Sequence, residues 1–173
     1  GKANQALEEF RSAIRLQPDF SEAHNDLGVI YRDKGLVQQA LHEFQQALKY
    51  RPDFQGARYN LALALLGAAK TSMAIEEIRQ GLKQDSKWAM GYYALGLCLE
   101  KQGHTAGARE FFSQALELNP KLALAEDGLA RLAAQRGQVG EAIRHFQRAT
   151  EIDPKSAQAY YNLGLQLMQT PNK

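Results

Sequence analysis

The sequence predicts an all-α solenoid of antiparallel helix pairs, and three periodic observations predict it. Proline returns every 34 residues at Pro18, Pro52, Pro120 and Pro154, with Ser86 in the one missing place. Ala6, Ala40, Ala74, Ala108 and Ala142 keep the same interval, as do Phe10, Phe44, Ile78, Phe112 and Phe146. Self-similarity at this period marks a stacked array in which each unit buries its apolar face only against its neighbours. Function is therefore sought on a repeated surface more than in one pocket.

The elements follow in order. A helix over 3–17 carries Ala6, Leu7, Phe10 and Ala13 at helical spacing and stops before Pro18. A helix over 21–34 carries Ala23, Leu27, Ile30 and Tyr31 and ends at Gly35, a residue suited to a left-handed helix terminus. A helix over 37–50, with Ala40, Leu41, Phe44, Ala47 and Leu48, ends before Pro52, which cannot continue a helix but can start the next. The same pair recurs over 55–68 and 71–84, where Ala69 takes the glycine place and Ser86 the proline place. It recurs again over 88–102 and 105–118, closed by Gly103 and Pro120, and over 123–136 and 139–152, closed by Gly137 and Pro154. A last helix over 157–169 carries Tyr160, Leu163, Gly164 and Leu167 before Thr170 to Lys173 stop it.

The chain thus reads as one domain: a half repeat over 1–20, full repeats over 21–54, 55–88, 89–122 and 123–156, and a half repeat over 157–173. Gly1 aligns with Gly35, so the chain is expected to open at a turn before a second helix and to be a piece of a longer array. Small residues have a mechanical reason. Ala40 and Ala47, with their equivalents, sit where paired helices cross closely, and Gly28, Gly96 and Gly164 in the first helices leave room for Phe44-type rings.

Composition removes most chemistry. The net charge of +2, from 21 Lys and Arg against 19 Asp and Glu, carries no basic footprint for nucleic acid. No apolar run reaches spanning length, so membrane insertion is not expected. One cysteine, Cys98, excludes an internal disulfide and any CxxC metal site, and its apolar helix makes it a small buried hydrophobe; a reducing, cytoplasmic setting is the expectation. The histidines His24, His42, His104 and His145 occupy repeat positions that do not coincide. His42-Glu43 opens an HExxH pattern, but Gln46 stands at the second ligand place. With no phosphate loop or nucleophile elbow either, the chain is expected to be no enzyme and to hold no metal or cofactor.

The residues Leu27-Gly28, Tyr31, Ala40, Phe44, Ala47 and Pro52 resemble the tetratricopeptide repeat. The pattern returns as Leu95-Gly96, Ala108, Phe112, Ala115 and Pro120, and as Leu129, Ala142, Phe146, Ala149 and Pro154. It departs most in the third unit, where Leu65, Ile78, Gly81 and Ser86 replace tyrosine, phenylalanine, alanine and proline. The resemblance implies a right-handed superhelix of 34-residue repeats whose first helices line the concave side, and a protein-interaction scaffold as the function. The Pro-Asp-Phe segments at Pro18–Phe20 and Pro52–Phe54, with Asn60-Leu61 and Asn162-Leu163, are also loosely similar to the arrays attached to O-linked N-acetylglucosamine transferases. That likeness implies an alternative, the substrate-recognition arm of a larger transferase. The groove asparagines of that family fall at Asp26, Asn60, Ala94, Gly128 and Asn162, so two of five are kept.

On the first helices the packing positions cluster on one side, and the opposite side is expected to face the groove. The candidate peptide-binding residues are Asn25, Val29 and Arg32; Tyr59, Asn60 and Leu63; Met90, Tyr93 and Leu97; Asp127 and Arg131; and Tyr161, Asn162 and Leu165. Tyr59, Leu63, Tyr93 and Leu97 can serve equally as packing between neighbouring first helices. The lysine and asparagine clamp of chaperone-binding members is matched by no unit, so the expected ligand is an extended, partly apolar peptide. A further expectation is head-to-tail self-association, because the chain carries a second helix at its start and a first helix at its finish.

Overall fold

The structure, a computed structural model, describes residues 2–170. Gly1, read as a turn glycine, and the stop at residues 171–173 lie outside the described residues. Among the described residues the regular structure is ten α-helices: α1 Lys2–Leu16, α2 Ser21–Asp33, α3 Val37–Tyr50, α4 Gln55–Gly67, α5 Thr71–Gln84, α6 Ala89–Lys101, α7 Thr105–Leu118, α8 Ala123–Gln135, α9 Val139–Ile152 and α10 Ala157–Met168. Every helix end lies within a residue of the place that proline and glycine punctuation predicts.

Two compact units divide the chain between Ser86 and Lys87. In the first, α1 to α5 pack each on the next and α2 also touches α4. In the second, α6 to α10 do the same and α6 also touches α8.

Two turns build each hairpin stack. The turn inside a hairpin is a left-handed closure: Gly35, Gly103 and Gly137 take φ of 74°, 77° and 70°, and Ala69 takes 58° at the equivalent place. Behind each one the next amide reaches five residues back, Leu36 to the Tyr31 carbonyl, Lys70 to Leu65, His104 to Leu99 and Gln138 to Ala133. This pairing satisfies carbonyls that a helix end would otherwise leave open. The turn between hairpins keeps one backbone shape with or without proline: Asp85, before Ser86, is extended at φ −137° and ψ 99° and donates its amide to the Gly81 carbonyl at 2.9 Å. Arg51 is extended at φ −134° and ψ 88°, as a residue before proline must be, and donates its amide to the Ala47 carbonyl at 2.9 Å.

The core is a seam of alanines crossed by rings. Ala40, Ala47, Ala74, Ala108, Ala115 and Ala142 are fully buried, and so are Phe44, Ile78 and Phe112. A methyl placed on Gly28 would lie 2.7 Å from the Phe44 ring, and one on Gly96 would lie 2.4 Å from the Phe112 ring. Phe112 is also gripped from its other edge, where a methyl on Gly128 would approach to 2.8 Å. These contacts explain why glycine is tolerated inside a helix at a cost of about 0.5–1 kcal/mol. Gly164 differs, for a methyl there would meet nothing within 4 Å. Its helix carries the core-type residues Tyr160 and Leu167 half-exposed, while Leu163 packs on the cluster of Ala130, Ala133, Ala142 and Phe146.

Candidate functional site

In the first unit the candidate residues of α2 and α4 form one hydrogen-bonded chain. Asn60 Nδ2 donates to Asn25 Oδ1 at 2.9 Å, Asn25 Nδ2 donates to Asp26 Oδ1 at 3.0 Å, and Arg32 Nη1 donates to Asn60 Oδ1 at 3.3 Å. Asn25 is buried, so its amide serves the helix-to-helix joint first. Tyr59 lies half-buried beside Arg32; burial raises its phenol pKa and the guanidinium charge offsets part of that rise. Val29 and Leu63 are half-buried on the same two helices.

In the second unit charge replaces amide. Arg131 of α8 donates through Nε and Nη2 to both carboxylate oxygens of Glu100 on α6, at 3.2 and 2.9 Å, and through Nη1 to Asp127 one turn earlier. Burial alone would lower the arginine's pKa, yet the Glu100 hydrogen bond and the charges of Glu100 and Asp127 outweigh it and leave it raised. Asp127 accepts from Asn162 Nδ2 of α10 at 3.4 Å, and Asn162 accepts from Gln158 at 2.9 Å. Tyr93 is 6% exposed and rests on Phe112 with ring centroids 5.6 Å apart. Met90 and Leu97 are half-buried, whereas Tyr161 and Leu165 stand 63% and 42% exposed.

Each unit therefore gathers its own subset: Asn25, Arg32, Tyr59 and Asn60 in the first, and Tyr93, Asp127, Arg131 and Asn162 in the second. Glu100 is not among the candidate residues, although it holds the register of Arg32 two repeats earlier. Periodicity at 34 also hid a second spacing, 19, which joins the two helices of every hairpin. At that spacing His24 faces Glu43 at 2.7 Å, Arg58 faces Glu77 at 3.0 Å, Tyr92 faces Phe111 with centroids 6.2 Å apart, and Glu126 faces His145 at 2.5 Å. Two of the four histidines thus share a role with the polarity reversed. His24 and Arg58 each hold a further acceptor, the carbonyl of the proline six residues earlier, at 2.9 and 2.7 Å.

Reactive chemistry is sparse on this frame. Cys98 is 1% exposed, and burial pushes its thiol up to about 11, which keeps it protonated and unreactive at neutral pH. Among the described residues no three His, Cys, Asp or Glu side chains converge as metal ligands. No described helix is long and apolar enough to cross a membrane.

Stacked two-helix units with glycine-closed turns, ring-in-notch seams and polar joints between first helices define a helical repeat protein. Two family models match: "Tetratricopeptide repeat" over residues 21–54 and 89–122, and "TPR repeat" over residues 130–170, together more than half of the chain. The chain belongs to the tetratricopeptide repeat family. Solved structures with the same fold include TTC0263, a thermophilic TPR protein of Thermus thermophilus, at 22% identity over 97% of this chain and 92% of that one, with a TM-score of 0.85. MamA from residue 41 to its end, of Desulfovibrio magneticus RS-1, is 22% identical over 91% of this chain and 89% of that one, with a TM-score of 0.69. YrrB, described as a TPR protein with an unusual peptide-binding site, is 20% identical over 92% of this chain and 82% of that one, with a TM-score of 0.61. A search of curated proteins finds no match to this sequence. Membership makes the chain a scaffold for protein partners.

Proposed function

We propose that the scaffold holds an extended, partly apolar peptide along the exposed faces of its first helices. The observation that carries the reading is the pairing of exposed apolar anchors with fixed polar joints: Tyr161 and Leu165 stand out from α10 while Gln158, Asn162 and Asp127 are tied together beside them. Half-buried Tyr59 and Leu63 offer the same mixture on α4 beside the Asn25–Asn60 bond. Aromatic anchors bury much area with little entropy loss, and prealigned amides can still use their second donor on a peptide. The test selects binders from a displayed library of extended peptides and measures them against Tyr59→Ala, Leu63→Ala and Tyr161→Ala. Losses of about 2 kcal/mol at one or more of these positions, with helicity unchanged, are expected for hot spots. Selected peptides that bind all three variants as tightly as the native chain would refute the groove.

A second reading, self-association, is favoured by the notch at Gly164. Rings fill the equivalent notches at Gly28 and Gly96, and Phe10 of α1 is half-buried where Phe44, Phe112 and Phe146 are at most 2% exposed. Phe10 of a second copy has the register to enter that notch, in a head-to-tail contact that need not close. Sedimentation over a wide concentration range should reveal oligomers that Phe10→Asp or Leu167→Asp abolishes. A strict monomer at high concentration excludes this contact.

A further inference from the structure

A cavity of about 200 Å³ opens between α8 and α10, lined by Arg131, Ala134, Gln135, Phe146, Asn162, Leu165 and Gln166. The repeat explains its presence. One register earlier the places of Ala134 and Leu165 are held by Glu100 and Arg131, whose two-pronged ion pair joins α6 to α8. A methyl and an exposed leucine cannot make that bridge, and room is left between α8 and α10. Gln166 is the second anomaly. Its register is apolar in the other repeats, Ile30, Ala64, Cys98 and Leu132. Gln166 is only 8% exposed, and its Oε1 is the one buried side-chain oxygen or nitrogen among the described residues with no hydrogen-bond partner. A buried acceptor without a donor is a standing desolvation penalty that an incoming donor relieves.

We infer that this cavity receives one side chain of a partner peptide, with a flat apolar body and a single neutral N–H or O–H donor, as in tryptophan or tyrosine. The inference rests on the reading of the first helices as the binding face. The volume suits one side chain and falls short of the roughly 300–1,000 Å³ of small-molecule pockets. Phe146 supplies an aromatic floor and Leu165 an apolar wall, and Gln166, which lines the cavity with its Oε1 turned out of reach of solvent, supplies the acceptor by rotating its amide toward the incoming donor. The Arg131 charge and the Asn162 amide already have partners: Arg131 is held by Glu100 and Asp127, and Asn162 by Asp127 and Gln158. A cationic tip would therefore lose its water without gaining an ion partner, and an aliphatic one would leave the carbonyl unpaired. A neutral donor satisfies both conditions.

The test uses indole and 1-methylindole, which differ in the donor, and reads amide shifts along α8 and α10 by NMR. Indole should produce saturable shifts there and bind about tenfold more tightly than 1-methylindole, the difference expected of one unmatched acceptor. Gln166→Leu, which restores the apolar residue of the other repeats, should erase that preference and keep the fold. Ala134→Leu should fill the cavity and remove the shifts. An absence of saturable shifts in the native chain, or an indole preference that survives in Gln166→Leu, overturns the site. The two readings fail separately: indole binding with selected peptides indifferent to Tyr59, Leu63 and Tyr161 sinks the groove alone, whereas peptide loss at one or more of those positions without indole binding sinks the cavity alone.

Discussion

The hairpin of α6 and α7 and the hairpin of α4 and α5 hold the same register of the repeat and close it by different means. In the first, the Phe112 ring is fully buried between the notches of Gly96 and Gly128. In the second, Ile78 and Ala62 occupy the ring and notch places, Gly81 stands where Ala115 does, and the two helices meet along a shorter stretch. Its turn is the one closed by alanine in the left-handed region. What it has in exchange is Arg58, 5% exposed, which donates to the Pro52 carbonyl at 2.7 Å, to Glu77 at 3.0 Å and to Gln80 at 3.4 Å, where the first hairpin sets Tyr92 on Phe111. The same seam can thus be held by shape or by a buried cation with several acceptors. The difference lies in how each fails: a shape fit loses contacts gradually, whereas a buried charge stripped of partners is left at full cost.

The largest effect that would sharpen this contrast is at the rings. Phe112→Ala opens a cavity at a helix crossing and should cost about 3–5 kcal/mol, against about 2–4 for Ile78→Ala. Denaturant titration measures both, and equal costs would dissolve the distinction. Hydrogen exchange should find the earliest local opening in α5, since shorter contact and a smaller plug lower the local barrier. Protection of α5 above that of α7 would reverse the comparison.

A smaller effect should appear at the charge. Glu77→Ala leaves the Arg58 guanidinium with carbonyl and amide partners only and should cost about 2 kcal/mol, reduced from a fully buried pair because the Glu77 side chain is 28% exposed. Replacing both residues by leucine should recover most of that loss, because two apolar groups leave no buried charge behind. A double variant less stable than the single one would mean that the pair contributes net energy, and the contrast with the aromatic hairpin would narrow.

Most of the fold was legible in the sequence because its determinants are local and repeated: glycine or its substitute closes one turn, proline or its substitute the other, and alanine, phenylalanine and glycine recur at one interval. The candidate site was less legible because it depends on which side chains choose each other. Asn25 and Asn60 are 35 residues apart and Glu100 and Arg131 are 31 apart, so neither pair falls on the repeat, and the helical wheel gave only the side they share. Tyr93 illustrates the limit. Its wheel position allows both groove and packing, and its contact with the Phe112 ring is a packing contact that the wheel alone did not foretell. Gln166 carried a readable signal, a polar residue in an apolar register, but its orphaned oxygen is a property of the packed structure.

The smallest predicted effect concerns the turn at Ala69. Its φ of 58° lies where a Cβ crowds the following carbonyl, a strain on the order of 1–2 kcal/mol that glycine does not feel. Glycine also loses more backbone freedom on folding, which offsets about 0.5–1 kcal/mol of the relief. Ala69→Gly should therefore stabilise the chain by about 0.5–1 kcal/mol, the difference between the two terms. The converse change at the equivalent place, Gly137→Ala, should destabilise by a similar amount, since its φ of 70° is of the same kind and no atom lies within 4 Å of the added methyl to confuse the reading. Paired denaturation curves measure both. If Ala69→Gly were destabilising while Gly137→Ala cost what is expected, Ala69 would owe its place to a contact of its methyl group, and the α4–α5 hairpin would be less strained at its turn than its backbone implies.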